Sequence, residues 1–432
     1  MRRKIYNSLL EWKNKHINTP LMVIGARQIG KTYIINEFCK NEFPNYVYIN
    51  LFEQPEIVEI FEQRISTEEK FNKMQLFLDK QIDIENTIIF FDEIQESEML
   101  ISSLKYFCEN ERPFKIICAG SLLGVKVNRF KSSFPVGKVR MLNMYPMDFE
   151  EFLLAFDCDL LIKEIQKCYA QNQPMDNVLH EKLLSLYRLY LCVGGMPDAI
   201  KDIVNANKNI FDFDSSIISN IITAYLNDMN KYVTNVFESA KIETIYKSIP
   251  SQLGNNSNKF QYSKIDTNAR SRDYETALNW LVSSSMVYKC TALNSIMVPP
   301  KAFENANFFK LYISDVGILT SLLGIKYNEI LLDNPFIFKG VITENYVLHF
   351  VYRNNEKILL HSCFIYYQQP IFRQLLFCSF NQSVRCSART LQRLRLFTFC
   401  YHTLLSSSFR FAGRRRRRPL RQQKHKIILP ST

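Results

Sequence analysis

The sequence predicts an α/β fold whose core is a doubly wound parallel sheet, on three observations. Residues 21–24, 87–91 and 114–119 are short, almost wholly apolar runs, the pattern of parallel strands covered on both faces. Each ends in small or polar residues: Gly25, the pair Asp92-Glu93, and Gly120-Ser121. In an open parallel sheet that carboxyl end borders the ligand crevice. The first run leads directly into Gly25-Ala26-Arg27-Gln28-Ile29-Gly30-Lys31-Thr32, with a helical pattern from about Gly30. This is the strand–loop–helix order of a phosphate-binding loop.

The loop's chemistry follows from its residue types. Two glycines let the backbone curl so that successive N–H groups point inward at the positive end of a helix. Gly25, Ala26, Arg27, Gln28, Ile29 and Gly30 would cradle phosphates, and Lys31 would meet the β- and γ-phosphates. The Thr32 hydroxyl would be a Mg²⁺ ligand. Asp92, at the end of the second strand, fits a carboxylate holding Mg²⁺, and Glu93 fits the base that orients or deprotonates a water. The alternative for that pair is two ordinary charges at a solvated strand end. Ser121 is the candidate polar sensor of the γ-phosphate, with an ordinary turn serine as its alternative.

Taken together, the string from Gly25 to Thr32, the tetrad Asp92-Glu93-Ile94-Gln95 and the tripeptide Ala119-Gly120-Ser121 resemble a family of prokaryotic P-loop ATPases of the AAA+ superfamily, with Walker A and Walker B motifs. In that family a C-terminal domain of unknown function follows the ATPase. Further matches are Tyr145-Pro146-Met147-Asp148-Phe149-Glu150-Glu151-Phe152, the turn Gly194-Gly195-Met196-Pro197-Asp198, and the segments 309–317 and 340–347. The resemblance covers roughly residues 1–355. It implies ATP and Mg²⁺ as cofactors, and a homo-oligomer in which a neighbour's basic residue completes the site. Lys138 and Arg140 are the candidates for that residue, with Arg112 and Arg129 also in range; a residue of this kind is more often a solvated surface charge than such a finger.

Beyond the core, residues 146–237 read as helical, with Asp148 and Glu151 spaced for a capping box and Gly194-Gly195 ending a helix. By analogy with the family this region would be a lid over the nucleotide; the alternative is a separate helical domain with no contact to ATP. Residues 238–295 read as a winged-helix-like module. There Tyr274, Ala277, Leu278, Leu281 and Val282 make one apolar helical face. If that module reads DNA, Arg270, Arg272, Thr276 and Asn279 would face a groove; the alternative is a packing role, since Asp273 and Glu275 lower the helix's positive potential. Residues 296–361 would begin a partial α/β C-terminal domain, and residues 1–145 form the ATPase core.

Composition narrows the class. At 432 residues the chain has room for about three domains. Eleven cysteines stand at irregular spacings without a C-x-x-C pair, which suits a reducing cytoplasm better than a disulfide or zinc framework. No stretch of eighteen apolar residues exists, and the amino terminus lacks the apolar core of a signal peptide, so no membrane partner is expected. The net charge of +12 is unevenly placed. Residues 362–432 hold twelve Arg and two Lys of the chain's 54 basic residues and no Asp or Glu, which leaves residues 1–361 with 40 basic against 42 acidic.

Three readings of this tail stay open: a nucleic-acid-binding arm, a charged disordered extension, and the product of a frame change near His361. The family would continue with an Ala-Glu-Val-Asp-Phe-like strand and a Glu-Val-Lys-like strand, resembling the site of restriction-type nucleases. Neither string occurs here, which favours the frame change. The functional expectation is an ATPase that turns hydrolysis into a change of shape. The alternative is a nucleotide-gated DNA-binding regulator with little or no hydrolysis.

Overall fold

The structure, a computed structural model, describes residues 1–353 apart from 111–113, 122–133, 136, 172, 232–235, 256–258, 295–299 and 333–337. Arg112, Arg129 and the tail at 362–432 lie outside the described residues. Five strands form one all-parallel sheet: β1 (Leu21–Ile24), β2 (Asn45–Asn50), β3 (Thr87–Asp92), β4 (Lys115–Gly120) and β5 (Arg140–Asn143), in the order β2-β3-β4-β1-β5. The three central strands are the three apolar runs. The flanking β2 and β5 escape an apolar-run reading because they are edge strands. β2 alternates exposed and buried positions, and β5 is mostly exposed.

Strand side chains alternate between faces with period two, and the two faces bury different sets. Met22, Ile89, Phe91, Ile116 and Cys118 pack with α3 (Pro55–Glu62), α4 (Thr67–Phe77) and α5 (Glu98–Glu109). Val23, Phe90, Ile117 and Ala119 pack with α1 (Ile5–His16) and α2 (Lys31–Glu42). The sheet is therefore covered on both sides, as the three apolar runs require.

That second core does not stop at the sheet. It continues through α6 (Phe149–Ala155), α8 (Asn177–Val193), α9 (Pro197–Asn205), α10 (Ser216–Lys231), α11 (Val236–Gly254) and α12 (Ser271–Ser283). It ends among α13 (Val316–Leu322), α14 (Tyr327–Leu331) and α15 (Lys339–Arg353). α7 (Asp159–Gln171) packs instead in a smaller cluster with Leu153 of α6 and Leu183 and Leu186 of α8. Two further strands, β6 (Val287–Leu293) and β7 (Glu304–Ile313), pair antiparallel. That pairing joins residues on both sides of the boundary expected at 295/296, because strand partnership across a long connection leaves no local periodicity to read.

Two joints stand out among the contacts of the helical region. The first is a buried charge cluster. Asp148 caps α6, accepting from the Glu151 backbone N–H at 2.8 Å, while Glu151 accepts from the Asp148 N–H at 3.2 Å. Glu151, fully buried, also pairs with Arg3 at 3.2 Å and Arg353 at 2.8 Å. Burial alone would raise the Asp148 carboxyl, but Arg353 and Lys4 outweigh it and hold it far below the ordinary range. The second joint is steric. Gly194 ends α8 at φ +79° beside Gly195, and a Cβ on Gly195 would stand 2.0 Å from the Met147 carbonyl oxygen. A Cβ on Gly317 would stand 2.3 Å from the Val193 carbonyl oxygen. Asp315 closes this contact, accepting from the Gly195 N–H at 2.6 Å and capping α13 through the Ile318 N–H at 3.0 Å. No helix among the described residues is long and apolar enough to cross a membrane.

Candidate nucleotide-binding site

β1 delivers the chain to the loop and α2 leaves it, with Gly30 at the helix cap in the left-handed region at φ +87°. Only glycine adopts that geometry without strain. Gly25 is constrained differently: a Cβ there would lie 2.2 Å from the Met144 carbonyl oxygen. The loop is thus tight on its Met144 side. Gln28 adds a second left-handed turn at φ +61°.

Lys31 is buried, and its ammonium donates to the Gly25 and Ala26 carbonyls at 3.0 and 2.7 Å. Burial pushes it down to about 8, against the pull of Glu93 and Asp92. The Thr32 hydroxyl donates to Asp92 Oδ2 at 2.6 Å, so the loop and the strand-end carboxylate meet across 60 residues. β4 lies between β1 and β3. Asp92 is buried, and desolvation, the largest influence on it, raises its carboxyl even though Thr32 and the Glu93 N–H donate to it.

Glu93 follows at φ +51° with its carboxylate hydrogen-bonded to the Gln95 amide. A non-glycine residue held there costs on the order of 1 kcal/mol, and such outliers cluster at functional sites. Ser121 is buried at the tip of β4, and its Oγ has no hydrogen-bond partner among the described residues. The register Ile24↔Gly120 sets it level with Gly25.

The structure therefore brings Lys31, Thr32, Asp92, Glu93 and Ser121 to one end of the sheet, beside the loop from Gly25 to Gly30. Lys138 and Arg140 stand elsewhere. Lys138 pairs with Glu109 at 2.9 Å, both partners being solvent-exposed. Arg140 is in register with Leu21, about 10 Å along the strand from the loop end. Arg270, Arg272, Thr276 and Asn279 are all exposed at the start and along one side of α12, and Arg272 lies 3.6 Å from Asp273.

Several residues at this site carry no sequence signal. Arg3 donates to the Ile29 carbonyl at 2.8 Å. From α10, the Tyr225 hydroxyl donates to the Arg27 carbonyl at 3.1 Å, and buried Asp228 pairs with the Arg27 guanidinium. The Tyr48 hydroxyl donates to Asp92 Oδ2 at 3.3 Å. Their distances along the chain hide them; only the helical region's apolar periodicity hinted that something would pack here.

Residues 18–153 match the AAA domain family. That match and the sheet define the class as a P-loop AAA+ ATPase domain. This chain joins it to a second unit, residues 184–329, which match a domain of unknown function (DUF8612). Comparison with curated proteins gives no match. Among solved structures, the chain is similar to a Walker-type ATPase of Pyrococcus abyssi, at 15% identity over 75% of this chain and 96% of that one, with a TM-score of 0.45. It is also similar to Cdc6p from Pyrobaculum aerophilum, at 12% identity over 77% and 95% with a TM-score of 0.28. For the Drosophila ORC bound to DNA the values are 11%, 74%, 94% and 0.29. None of these scores reaches 0.5, and the class rests on the family match and the sheet.

Proposed function

We propose that the protein binds ATP with Mg²⁺ at this site and hydrolyses it. The observation that carries the reading is the Thr32–Asp92 hydrogen bond, which sets a metal-ligating hydroxyl beside a carboxylate at the mouth of the loop. The residues fit such a ligand. Lys31 is a buried cation held by carbonyl groups, which a phosphate would engage far more strongly. Ser121 Oγ is a buried polar atom without a partner among the described residues.

Thr32 and Asp92 would hold Mg²⁺, which when bound supplies charge neutralisation on the transferring phosphoryl group. The inward N–H groups of residues 26–31 would bind the phosphates, and Lys31 would neutralise the terminal ones. Glu93, fixed by its left-handed backbone and by Gln95, would take the proton of the attacking water. α10 touches Arg27 through Tyr225 and Asp228, so a change in the loop has a direct route to the helical region. A lid role for that region, assembly into a homo-oligomer and a cytoplasmic location belong to the same proposal.

Glu93→Gln tests it. Phosphate release should fall by about 10²–10⁴-fold, while a fluorescent ATP analogue still binds. Retained hydrolysis would assign the base elsewhere. A second reading, a nucleotide-gated contact with duplex DNA, draws on the exposed side of α12. Arg270→Ala with Arg272→Ala should weaken duplex binding and lower its salt slope by up to about 2; unchanged values would leave α12 a packing helix.

A further inference from the structure

The end of β3 is shaped by a side chain that belongs to neither motif. In the pairing of β2 with β3, Asn50 lies opposite Asp92 and Tyr48 opposite Phe90. Residues two apart on a strand share a face, so Tyr48 is the diagonal neighbour of Asp92. Diagonal neighbours stand about 7–8 Å apart, within reach only of long or aromatic side chains. Tyr48 crosses that gap. Its ring rests on Phe90, with centroids 5.3 Å apart, and its hydroxyl reaches Asp92 Oδ2 at 3.3 Å.

The Asp92 carboxylate is therefore held by three donors. Oδ2 accepts from the hydroxyls of Thr32 and Tyr48, and Oδ1 accepts from the Glu93 N–H. The Glu93 contact is local and cannot by itself choose a direction for the carboxylate. Thr32 is itself a candidate ligand. Tyr48 is the one donor of the three with no other duty at the site, and it anchors the carboxylate from the neighbouring strand. Burial first, and then the Asp92 carboxylate, push its phenol up from the ordinary value.

We propose that Tyr48 is a positioning residue that fixes the Asp92 carboxylate for Mg²⁺ and thereby sets the metal requirement of the site. The inference rests on the ATP–Mg²⁺ reading above and assigns it a residue outside the two motifs. Partners that orient a metal's carboxylate ligands typically contribute about 10–100-fold in metal affinity.

The test is Tyr48→Phe in the full chain, which keeps the ring on Phe90 and removes only the hydroxyl. A fluorescent ATP analogue is titrated with Mg²⁺, and its affinity is also measured in EDTA. The Mg²⁺ concentration giving half of the affinity gain should rise about tenfold, with affinity in EDTA and the thermal midpoint unchanged. In an Asp92→Asn background the same substitution should have no further effect. An unchanged Mg²⁺ midpoint overturns the role of Tyr48 while leaving the nucleotide site standing, and a lowered thermal midpoint with an unchanged Mg²⁺ midpoint does the same. If the wild-type protein binds the analogue with no response to Mg²⁺, the reading of the site itself falls, and this role with it.

Discussion

The loop at residues 25–32 and the joint where Gly194 and Gly195 meet Gly317 both depend on glycine, but the joint is packed shut while the loop is open beside Gly30. At the joint, an added Cβ on Gly195 or Gly317 would lie 2.0 and 2.3 Å from backbone carbonyl oxygens, and one on Gly194 would lie 2.2 Å from the Asp315 carboxylate. At the loop, Gly25 is just as tight against Met144, but Gly30 has nothing nearer than Pro197 at 3.5 Å, and its requirement is the positive φ alone. The joint is a closed contact, whereas the loop keeps one side open.

Their buried charges differ in the same sense. Asp315 at the joint accepts backbone N–H groups, yet burial still lifts it to about 6. Among the described residues, Lys31 at the loop donates its hydrogen bonds to carbonyl oxygens, and burial takes it down to about 8 against the nearby carboxylates Glu93 and Asp92. One charge has its partners built in, and the other is suited to an anion arriving from outside. Glycine near a buried charge is thus ambiguous in sequence, and the neighbouring backbone decides which use applies.

Substitution can break this comparison. The largest effect belongs to the joint: Gly317→Ala should cost more than about 4 kcal/mol or prevent folding, because the atom it meets is backbone. Denaturant unfolding or soluble yield would show it, and a near-neutral result would mean that α8 and α13 are not locked together.

At the loop the effect is on binding. The ammonium must be charged to meet phosphate, so above about pH 8 nucleotide binding has to take up a proton. Affinity should then fall about tenfold per pH unit, and should be flat below pH 8 as far as this group is concerned. A Lys31→Ala protein should lose that slope. For the free protein the sign is the reverse. With its pKa depressed on folding, Lys31 lets stability rise between about 8 and its ordinary 10.5, where the unfolded chain binds more protons. The smallest effect sharpens the contrast: Gly340, with no positive φ and nothing within 4 Å of an added Cβ, should accept Ala in α15 with a gain of about 0.5 kcal/mol.

Legibility followed locality. The runs at 21–24, 87–91 and 114–119 were readable because strands covered on both faces must be apolar throughout. The capping box of Asp148 and Glu151 was readable because both members lie within one helical turn. β2 and β5 were not, since edge positions tolerate exposed side chains such as Tyr48 and Arg140. The Gly-Gly turn and the segment ending in Asp315 and Gly317 could be singled out as motifs. Their mutual contact, about 120 residues apart, could not.

What the sequence determined by itself is the loop from Gly25 to Thr32, the carboxylate pair it answers to, and the helix cap at Asp148. In each, the groups that interact are neighbours along the chain or sit at the ends of strands whose burial dictates their composition. The tertiary structure alone decided that Tyr48 reaches Asp92, that Tyr225 and Asp228 hold Arg27, and that Arg353 returns to Glu151. Those contacts arise from strand order and helix packing. Such geometry depends on the whole core closing at once, and no short window of residues carries it.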